Sequence, residues 1–229
     1  MEKNLTNKKL AENFKRLIER LILAHSYFQV WEAIRELRAP NKVGKNLSET
    51  NSKILNQFGN FFWITSEANR KTFALELYKF FEKSNESLSL QKFINFIRSN
   101  RKIIKKEIDE KKLKEFESFF EQKKDSIKRL KIFRDQDLAH DQIKKNKNSI
   151  SVSEFEKLFD FVDEVLVFFN DKLNFCIGSH LDKSENNCAK LETKMVIEYL
   201  QKYFILKREF RKNNLLIKKT KTKTTNFNF

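Results

Sequence analysis

Apolar residues recur at intervals of three and four along most of this chain, and that spacing predicts helices rather than strands. A helical region is predicted over residues 51–82, with either a bend or a close contact between helices at Gly59. A short helix is then predicted over residues 90–100, and a long, highly charged helix over residues 101–138. The first helix is predicted over residues 6–37, with an apolar face formed by Phe14, Leu17, Ile18, Leu21, Ile22, Phe28 and Trp31.

Two further helices complete the pattern. Ser153 and Glu156 have the spacing of a capping box, which predicts the start of a helix whose apolar positions again follow core spacing. The last helix is predicted over residues 189–209. We therefore predict an all-α protein, an up-and-down bundle of five to six helices. Residues 1–210 would form a single helical domain, and the basic C-terminal tail 211–229 is expected to be flexible.

The composition agrees with a helical protein, since 3 Gly and 1 Pro in 229 residues are too few for a fold rich in β-turns. No stretch of about 18 uninterrupted apolar residues is present, so we expect no membrane-spanning helix. The first twenty residues carry too many charges for a secretory signal. Two cysteines make no disulfide framework, and we expect a cytoplasmic protein.

The formal net charge of +16 indicates an anionic partner, with nucleic acid first and acidic lipid second. A compositional bias towards lysine is the alternative explanation, but the uneven placement of the charge favours a binding function. Basic residues cluster over residues 98–114, in the tail, and at Lys144, Lys145 and Lys147. For residues 98–114, a solvated helix face is an equally good explanation.

Candidate metal ligands and isolated histidines are less informative. Cys176, His180 and Cys188 lack the fourth ligand and the second closely spaced pair of a structural zinc site, so we expect no metal. His25 lies on or near the apolar face of the first helix, where a hydrogen-bonded packing histidine is the simpler interpretation.

The segment "RDQDLAHD" carries the most chemistry, because Arg134, Asp135 and His140 lie within seven residues at the end of a predicted helix. At about 100° per residue, Arg134 and His140 do not share a face of a straight helix. The helix must end or bend between them if they act together. The alternative is structural: Arg134 would pair with Asp137 on its own helix, and His140 would cap the helix end.

This segment resembles the signature of the HEPN superfamily, in which an arginine and a polar residue precede a histidine after four to six intervening positions. Arg134, Asp135 and His140 match that pattern. The layout of residues 10–175 also resembles the AbiU-type abortive-infection branch of the superfamily. The resemblance implies a HEPN-like helical fold and a metal-independent endoribonuclease that needs no cofactor. It also implies a homodimer in which two Arg–His motifs face one composite cleft.

In that interpretation His140 transfers protons, Arg134 binds phosphate, and Asp135 orients one of them. Lys131, Lys144, Lys145 and Lys147 would bind RNA near the motif. The protein would be an RNase toxin in phage defence or in a toxin–antitoxin pair, with RNA and an antitoxin protein as partners. The alternative function is a catalytically inactive HEPN-like module that binds RNA or a partner protein.

Overall fold

The computed structural model describes residues 2–84, 87–104, 108–139, 150–175 and 188–224, and it gives the backbone alone at residues 2–4, 136–139, 208 and 210–224. Within these ranges every regular element is a helix, which confirms the predicted all-α class. The ten helices are α1 (Glu2–Leu37), α2 (Pro40–Val43), α3 (Lys45–Gln57), α4 (Gly59–Lys79), α5 (Leu90–Ser99), α6 (Arg101–Ile104), α7 (Glu110–Gln122), α8 (Lys124–Ala139), α9 (Val152–Leu173) and α10 (Cys188–Thr224).

The helices divide between two compact units. Unit 1 comprises residues 1–31 and 65–189, and unit 2 comprises residues 32–64 and 190–229. Helices α1 and α4 contribute residues to both units. The single domain predicted over residues 1–210 stays a prediction.

Unit 1 is built around a core of aromatic rings from several helices. Phe73 of α4 is fully buried, and its ring lies 5.1 Å from that of Phe28 and 4.9 Å from that of Phe155, both edge-on. Edge-to-face contacts at these distances suit the ring quadrupoles and add to the burial of apolar area. Helix α9 supplies the densest stripe of this core: Phe155, Leu158, Phe159, Phe161, Val162, Val165, Leu166, Phe169 and Leu173 are all buried.

Unit 2 has a smaller core, and polar contacts join its helices. Asn51 is fully buried and donates from its side-chain amide to the Leu37 carbonyl oxygen at 3.0 Å. The Ser48 hydroxyl donates to the Arg38 carbonyl oxygen at 2.7 Å. These two bonds satisfy carbonyl groups that the C-terminal end of α1 leaves without helical partners. They join α3 to the end of α1.

The predicted bend at Gly59 is confirmed, because α3 ends at Gln57 and α4 begins at Gly59. The single long helix predicted over residues 101–138 is wrong, since α6, α7 and α8 occupy that stretch. Asp109 caps α7 by accepting the backbone N–H of Lys111 at 2.8 Å. Apolar spacing continues across these breaks, so it could not reveal them. The breaks raise the number of helices above the five to six expected.

The start of α9 also differs from the prediction. The capping box uses Ser151 and Glu154, and not Ser153 and Glu156. Both pairs have the required spacing. The difference lies in the residues around them: Ile150 and Phe155 take the positions of a hydrophobic staple around Ser151 and are both buried in the core of unit 1.

Helix α10 continues to Thr224, so the predicted end of the last helix at residue 209 is wrong. The flexibility expected for the tail 211–229 stays a prediction. Among the described residues, no helix combines the length and the hydropathy that a membrane crossing requires.

Candidate functional site

Helix α8 carries Arg134 and Asp135 of the motif, and its apolar side anchors it in unit 1. Leu130 is fully buried, and the ring of Phe133 packs edge-on against Phe155 of α9 at 6.0 Å. The guanidinium carbon of Arg70 also lies over the Phe133 ring, 4.7 Å from the centre of that ring. These contacts set the rotation of α8 about its axis. They therefore fix the direction in which the next residue, Arg134, leaves the helix.

A half-buried carboxylate, that of Glu154, ties α8 to the first turn of α9. Glu154 accepts the hydroxyl of Ser126 at 2.9 Å and forms an ion pair with Arg129, while it also caps α9 through Ser151. Burial alone would raise the pKa of Glu154, but the hydrogen bonds from Ser151, Arg129 and Ser126 lower it to about 2. Glu154 is thus ionised over the whole range in which the protein would work.

The guanidinium of Arg134 lies over an aromatic ring and is bordered by two carboxylates. Its Cζ is 4.0 Å from the centre of the Tyr78 ring. Its Nε donates to Oδ1 of Asp135 at 2.7 Å, and Nη1 donates to Oε1 of Glu82 at 3.3 Å. Nη2 also pairs with Asp135. The side chain of Arg134 remains 22% exposed, so solvent reaches the group.

The electrostatics of this cluster favour the charged form of Arg134. Burial alone would lower the pKa of Arg134, but Asp135, Tyr78 and Glu82 raise it above its ordinary value. Burial raises the pKa of the Tyr78 hydroxyl, and the positive charge of Arg134 opposes that shift. Arg134 is therefore a cation and Tyr78 a neutral phenol near neutral pH. Tyr78 can hold the guanidinium without neutralising it.

This arrangement is chemically suited to binding an anion at the edge of the guanidinium. Tyr78 occupies one face, so it keeps Arg134 in place whatever lies at the edge. A phosphate presents the same fork of oxygens as a carboxylate and can replace one. Of the three nitrogen–oxygen contacts that the Arg134 guanidinium makes with carboxylates, the one with Glu82 is the longest. Partly exposed ion pairs of this kind contribute only about 1 kcal/mol to stability. Glu82 is thus the group that an incoming phosphate most easily displaces.

Lysines on α8 form an exposed stripe that leads to this site. Lys124, Lys128 and Lys131 follow one another at intervals of four and three, and all three are exposed. Asp135 continues the same stripe after another four residues. Lys131 is therefore exposed, one turn of helix before the motif. Lys128 extends the stripe but does not figure in the sequence-based site.

Several predicted site residues lie outside the described residues: His140, Lys144, Lys145 and Lys147. Their roles, and the convergence of His140 with Arg134, stay predictions. Cys176 and His180 also lie outside these residues. Within the described part of the chain, no group of three or more His, Cys, Asp or Glu side chains could hold a metal ion.

The basic segment 98–114 is partly neutralised by ion pairs. Arg98 pairs with Glu117 at 2.7 Å, and Arg101 pairs with Glu110 at 2.6 Å. Lys112 pairs with Glu164 of α9 at 2.8 Å. A paired cation offers less to a phosphate than an unpaired one, so this segment is a weaker RNA surface than its basic residues alone suggest.

His25 has the environment of a packing histidine, as the sequence indicates. Its Nε2 lies 3.1 Å from Oδ1 of Asp163, and its ring stacks on Phe159 at 4.4 Å. Both side chains of the polar pair are largely buried, with 17% and 16% exposed.

Tyr78 and Glu82 are the residues that sequence reasoning misses. Tyr78 lies among Phe73, Leu77 and Phe81 in a stretch with core spacing, and its own 7% exposure agrees with that pattern. Glu82 follows the end of α4 and carries no motif. Both lie more than fifty residues before Arg134, and nothing in a single sequence links positions so far apart. Only the packing of α4 against α8 brings them together.

The comparisons with known proteins address the family. Those with curated proteins and with solved structures gave no match. The family model for AbiU2, a family of HEPN domains, matches residues 7–188, which is more than half of the chain and includes the whole "RDQDLAHD" segment. The chain therefore belongs to the AbiU2 family of HEPN domains, and this membership suggests an abortive-infection HEPN protein.

Proposed function

We propose that this protein is a metal-independent endoribonuclease that acts in phage defence, alone or with an antitoxin. Arg134 binds the scissile phosphate, His140 transfers protons, and Asp135 orients Arg134. The observation that carries the proposal is the position of Arg134: a partly exposed guanidinium, supported by the ring of Tyr78, in the C-terminal half of α8 and within the family-matched segment.

The chemistry follows from the substrate. RNA carries its own nucleophile, the 2′-hydroxyl beside the scissile phosphate. A neutral imidazole takes the proton of that hydroxyl as the 2′-oxygen attacks phosphorus. The P–O5′ bond breaks, and the 5′-oxygen leaves with a proton from an imidazolium. The products are a 2′,3′-cyclic phosphate and a 5′-hydroxyl. Arg134 stabilises the negative charge that builds on the phosphoryl oxygens.

Dimerisation would supply both protonation states. In a homodimer with two motifs facing one cleft, one His140 acts as the base and the other as the acid. Two copies of Arg134 then border the same phosphate. This pairing rests on the properties of the family and is part of the proposal.

Substrate binding involves an exchange of anions. Arg134 is bordered by Asp135 and Glu82, so one cation faces two carboxylates before RNA arrives. The scissile phosphate replaces Glu82, and Asp135 keeps the guanidinium oriented through Nε. The exposed stripe of Lys124, Lys128 and Lys131 binds neighbouring phosphates, with Lys144, Lys145 and Lys147 beyond the motif.

Purified protein tests the proposal in a cleavage assay on single-stranded RNA with excess chelator. We expect Arg134→Ala and His140→Ala each to reduce the rate at least about a hundredfold, the range expected for loss of charge stabilisation or of proton transfer. His25→Gln is the matched control, because it removes an imidazole outside the motif and should leave the rate unchanged. Unchanged cleavage in either motif variant, with folding intact, would contradict the proposal.

The same assay separates cleavage from binding alone. A non-catalytic RNA-binding protein would bind the RNA with an affinity that falls steeply with salt, and it would give no products. His140→Ala would then leave the affinity unchanged.

A further inference from the structure

Helix α10 packs within unit 2 through one side. Ile197 on that side is fully buried. Lys190 forms ion pairs with Glu32 at 2.7 Å and with Glu36 at 3.1 Å. Gln201 donates to the side-chain oxygen of the buried Asn51. This side of α10 is thus already covered by α1 and α3.

The opposite side of α10 exposes a second apolar stripe. Val196 is 52% exposed, Tyr199 62%, Tyr203 54% and Leu206 64%. Their intervals of three, four and three residues place them within about 80° of arc, roughly opposite Ile197 and Gln201. We call these four residues the α10 seam. The sequence continues the same spacing to Phe210.

The α10 seam has the period and the size of a helix-pairing surface. Intervals of three and four that repeat along one face are the pattern by which two helices pack along their length. Leu191 at 60% and Met195 at 42% widen the stripe on one side. Together the six side chains expose on the order of 600 Å², close to the roughly 800 Å² that each partner buries in a stable interface.

We propose that the α10 seam pairs with the α10 seam of a second copy of this chain, in antiparallel orientation. The charge of the helix selects this orientation. From Lys207 to the end, the chain carries eight basic residues and one acid. A parallel pair would bring these two basic ends side by side, and their repulsion would oppose association. An antiparallel pair places them at opposite ends.

The α10 seam is also compatible with two-fold symmetry in the antiparallel orientation. If the two-fold axis crosses α10 at the height of Gln201, Val196 lies opposite the partner's Leu206, and Tyr199 lies opposite the partner's Tyr203. If Val196 and Tyr203 are heptad a positions, Tyr199 and Leu206 are d positions. Each layer then pairs an a position with a d position of the partner, as in antiparallel coiled coils. Lys202 and Lys207 lie over the rings of Tyr199 and Tyr203, at 5.7 Å and 5.6 Å, so their stems can border the seam.

This interface goes beyond the proposed ribonuclease function and does not depend on it. The family match ends at residue 188, where α10 begins, so α10 pairing is not a property inferred from the family. It also differs from the pairing of Arg–His motifs proposed above, because it uses residues of unit 2 alone.

Sedimentation velocity on the full chain at about 10 µM tests the interface. We expect the wild type to self-associate and Tyr199→Glu to weaken association at least about a hundredfold, because each dimer contains the substitution twice in a desolvated interface. Val167→Glu is the matched control, since Val167 is an exposed apolar residue of unit 1, and it should associate like the wild type. Circular dichroism confirms folding of both variants.

A monomeric wild type would overturn the inference, and so would an assembly whose sedimentation Tyr199→Glu leaves unchanged. A larger wild-type assembly that Tyr199→Glu reduces to a dimer would support the inference, because the remaining dimer is the one proposed at the Arg–His motif. The RNA cleavage assay on Tyr199→Glu keeps the two proposals separate, because it reports the ribonuclease function whatever the state of α10.

Cross-linking tests the orientation in a chain whose Cys176 and Cys188 are replaced by serine. In the antiparallel pair, Lys202→Cys lies next to its own copy across the two-fold axis, so a short bis-maleimide of about 10 Å should link it. The two copies of Val196→Cys lie about 15 Å apart along the axis, and should not be linked. Linking of Val196→Cys but not of Lys202→Cys would indicate a parallel pair and overturn the proposal.

Discussion

The two units use apolar residues in opposite ways. Unit 1 buries its phenylalanines in one core, where ring packs against ring across α1, α4, α7 and α9. Unit 2 leaves many of its apolar residues at the surface: it holds twelve of the fifteen large hydrophobic side chains that are exposed in the described residues. A unit that exposes so much apolar area is suited to association with another surface. Unit 1 thus covers most of its apolar surface itself, whereas unit 2 presents apolar surface to which another molecule can bind.

Carboxylates that bind basic side chains also differ in their exposure between Glu36 of unit 2 and the Arg134 site of unit 1. In unit 2, the buried Glu36 binds Lys190 and Lys194, and burial alone would raise the pKa of Glu36 while these lysines lower it. Ion pairs and an amide contact thus hold α10 in place. In unit 1, the carboxylates next to Arg134 lie at the surface, where an anion can exchange with them. The carboxylate of Glu36 is therefore structural, whereas those next to Arg134 are accessible.

The largest expected effect comes from the core of unit 1. Phe73→Ala removes a fully buried ring with two edge-on neighbours and should reduce the free energy of unfolding by about 4 kcal/mol. Urea unfolding followed by the fluorescence of Trp31, which packs against the same core, measures this in a Trp63→Phe background. Phe61→Ala, an exposed ring of unit 2, is the control and should change the midpoint little. Equal losses would contradict the comparison.

A smaller effect is expected from the polar attachment of α10. Glu36→Ala removes a carboxylate that is only 11% exposed, together with its ion pairs to Lys190 and Lys194, and should cost about 3 kcal/mol in unit 2 even though Lys190 keeps Glu32. Hydrogen exchange should speed up in residues 190–206 and stay unchanged in α9. Glu12→Ala, an exposed residue of α1, is the control. Equal acceleration in both helices would mean that the units do not respond separately.

The ion pair between α8 and α9 should make unit 1 sensitive to acid. The folded-state pKa of Glu154 is about 2, below the ordinary 4.5, so its stabilisation is complete above about pH 4.5 and is lost as the pH falls from there towards 2. Glu154→Gln should therefore be about 2 kcal/mol less stable at pH 7, with a deficit that shrinks below pH 4.5. Glu156→Gln should show no deficit at any pH. A deficit for Glu154→Gln that is constant with pH would contradict this role.

The smallest effect on stability is expected at the candidate site itself. Glu82→Gln removes one carboxylate from the edge of Arg134 and should change the unfolding free energy by less than about 1 kcal/mol. Because the phosphate no longer displaces an anion, RNA affinity at 0.1 M salt should rise several-fold. Fluorescence anisotropy with labelled RNA measures this. Weaker RNA binding by Glu82→Gln would contradict the exchange of anions at Arg134.

Lys131→Ala should lower the RNA affinity and reduce its salt dependence by about one phosphate contact.

Apolar spacing was enough to predict the all-α class and the core residues of α1 and α9. It could not predict where helices stop, because the stripe of α7 and α8 continues through the breaks at Asp109 and Lys123. Those breaks depend on a side-chain cap and on local backbone angles. The capping box shifted by two residues for a related reason. Two pairs fitted the pattern, and only the burial of Ile150 distinguished them.

The site was predictable only in the part that is local in sequence. Arg134 and Asp135 follow from the motif, and Lys131 follows from its position one turn earlier. Tyr78 and Glu82 come from another helix, and their contact with Arg134 depends on tertiary packing. The apolar side of α10 that faces solvent was also unpredictable, because a sequence stripe does not say whether a partner helix in the same chain covers it.

The most direct test of the ribonuclease account compares two substrates with the wild-type protein in chelator. One is an RNA strand, and the other has the same sequence with 2′-deoxynucleotides at the cleaved positions. The account predicts cleavage of the RNA to 2′,3′-cyclic phosphate and 5′-hydroxyl ends, with no cleavage of the substituted strand. Cleavage of both strands, or ends without a cyclic phosphate, would contradict a mechanism in which the substrate's 2′-hydroxyl attacks a phosphate held by Arg134.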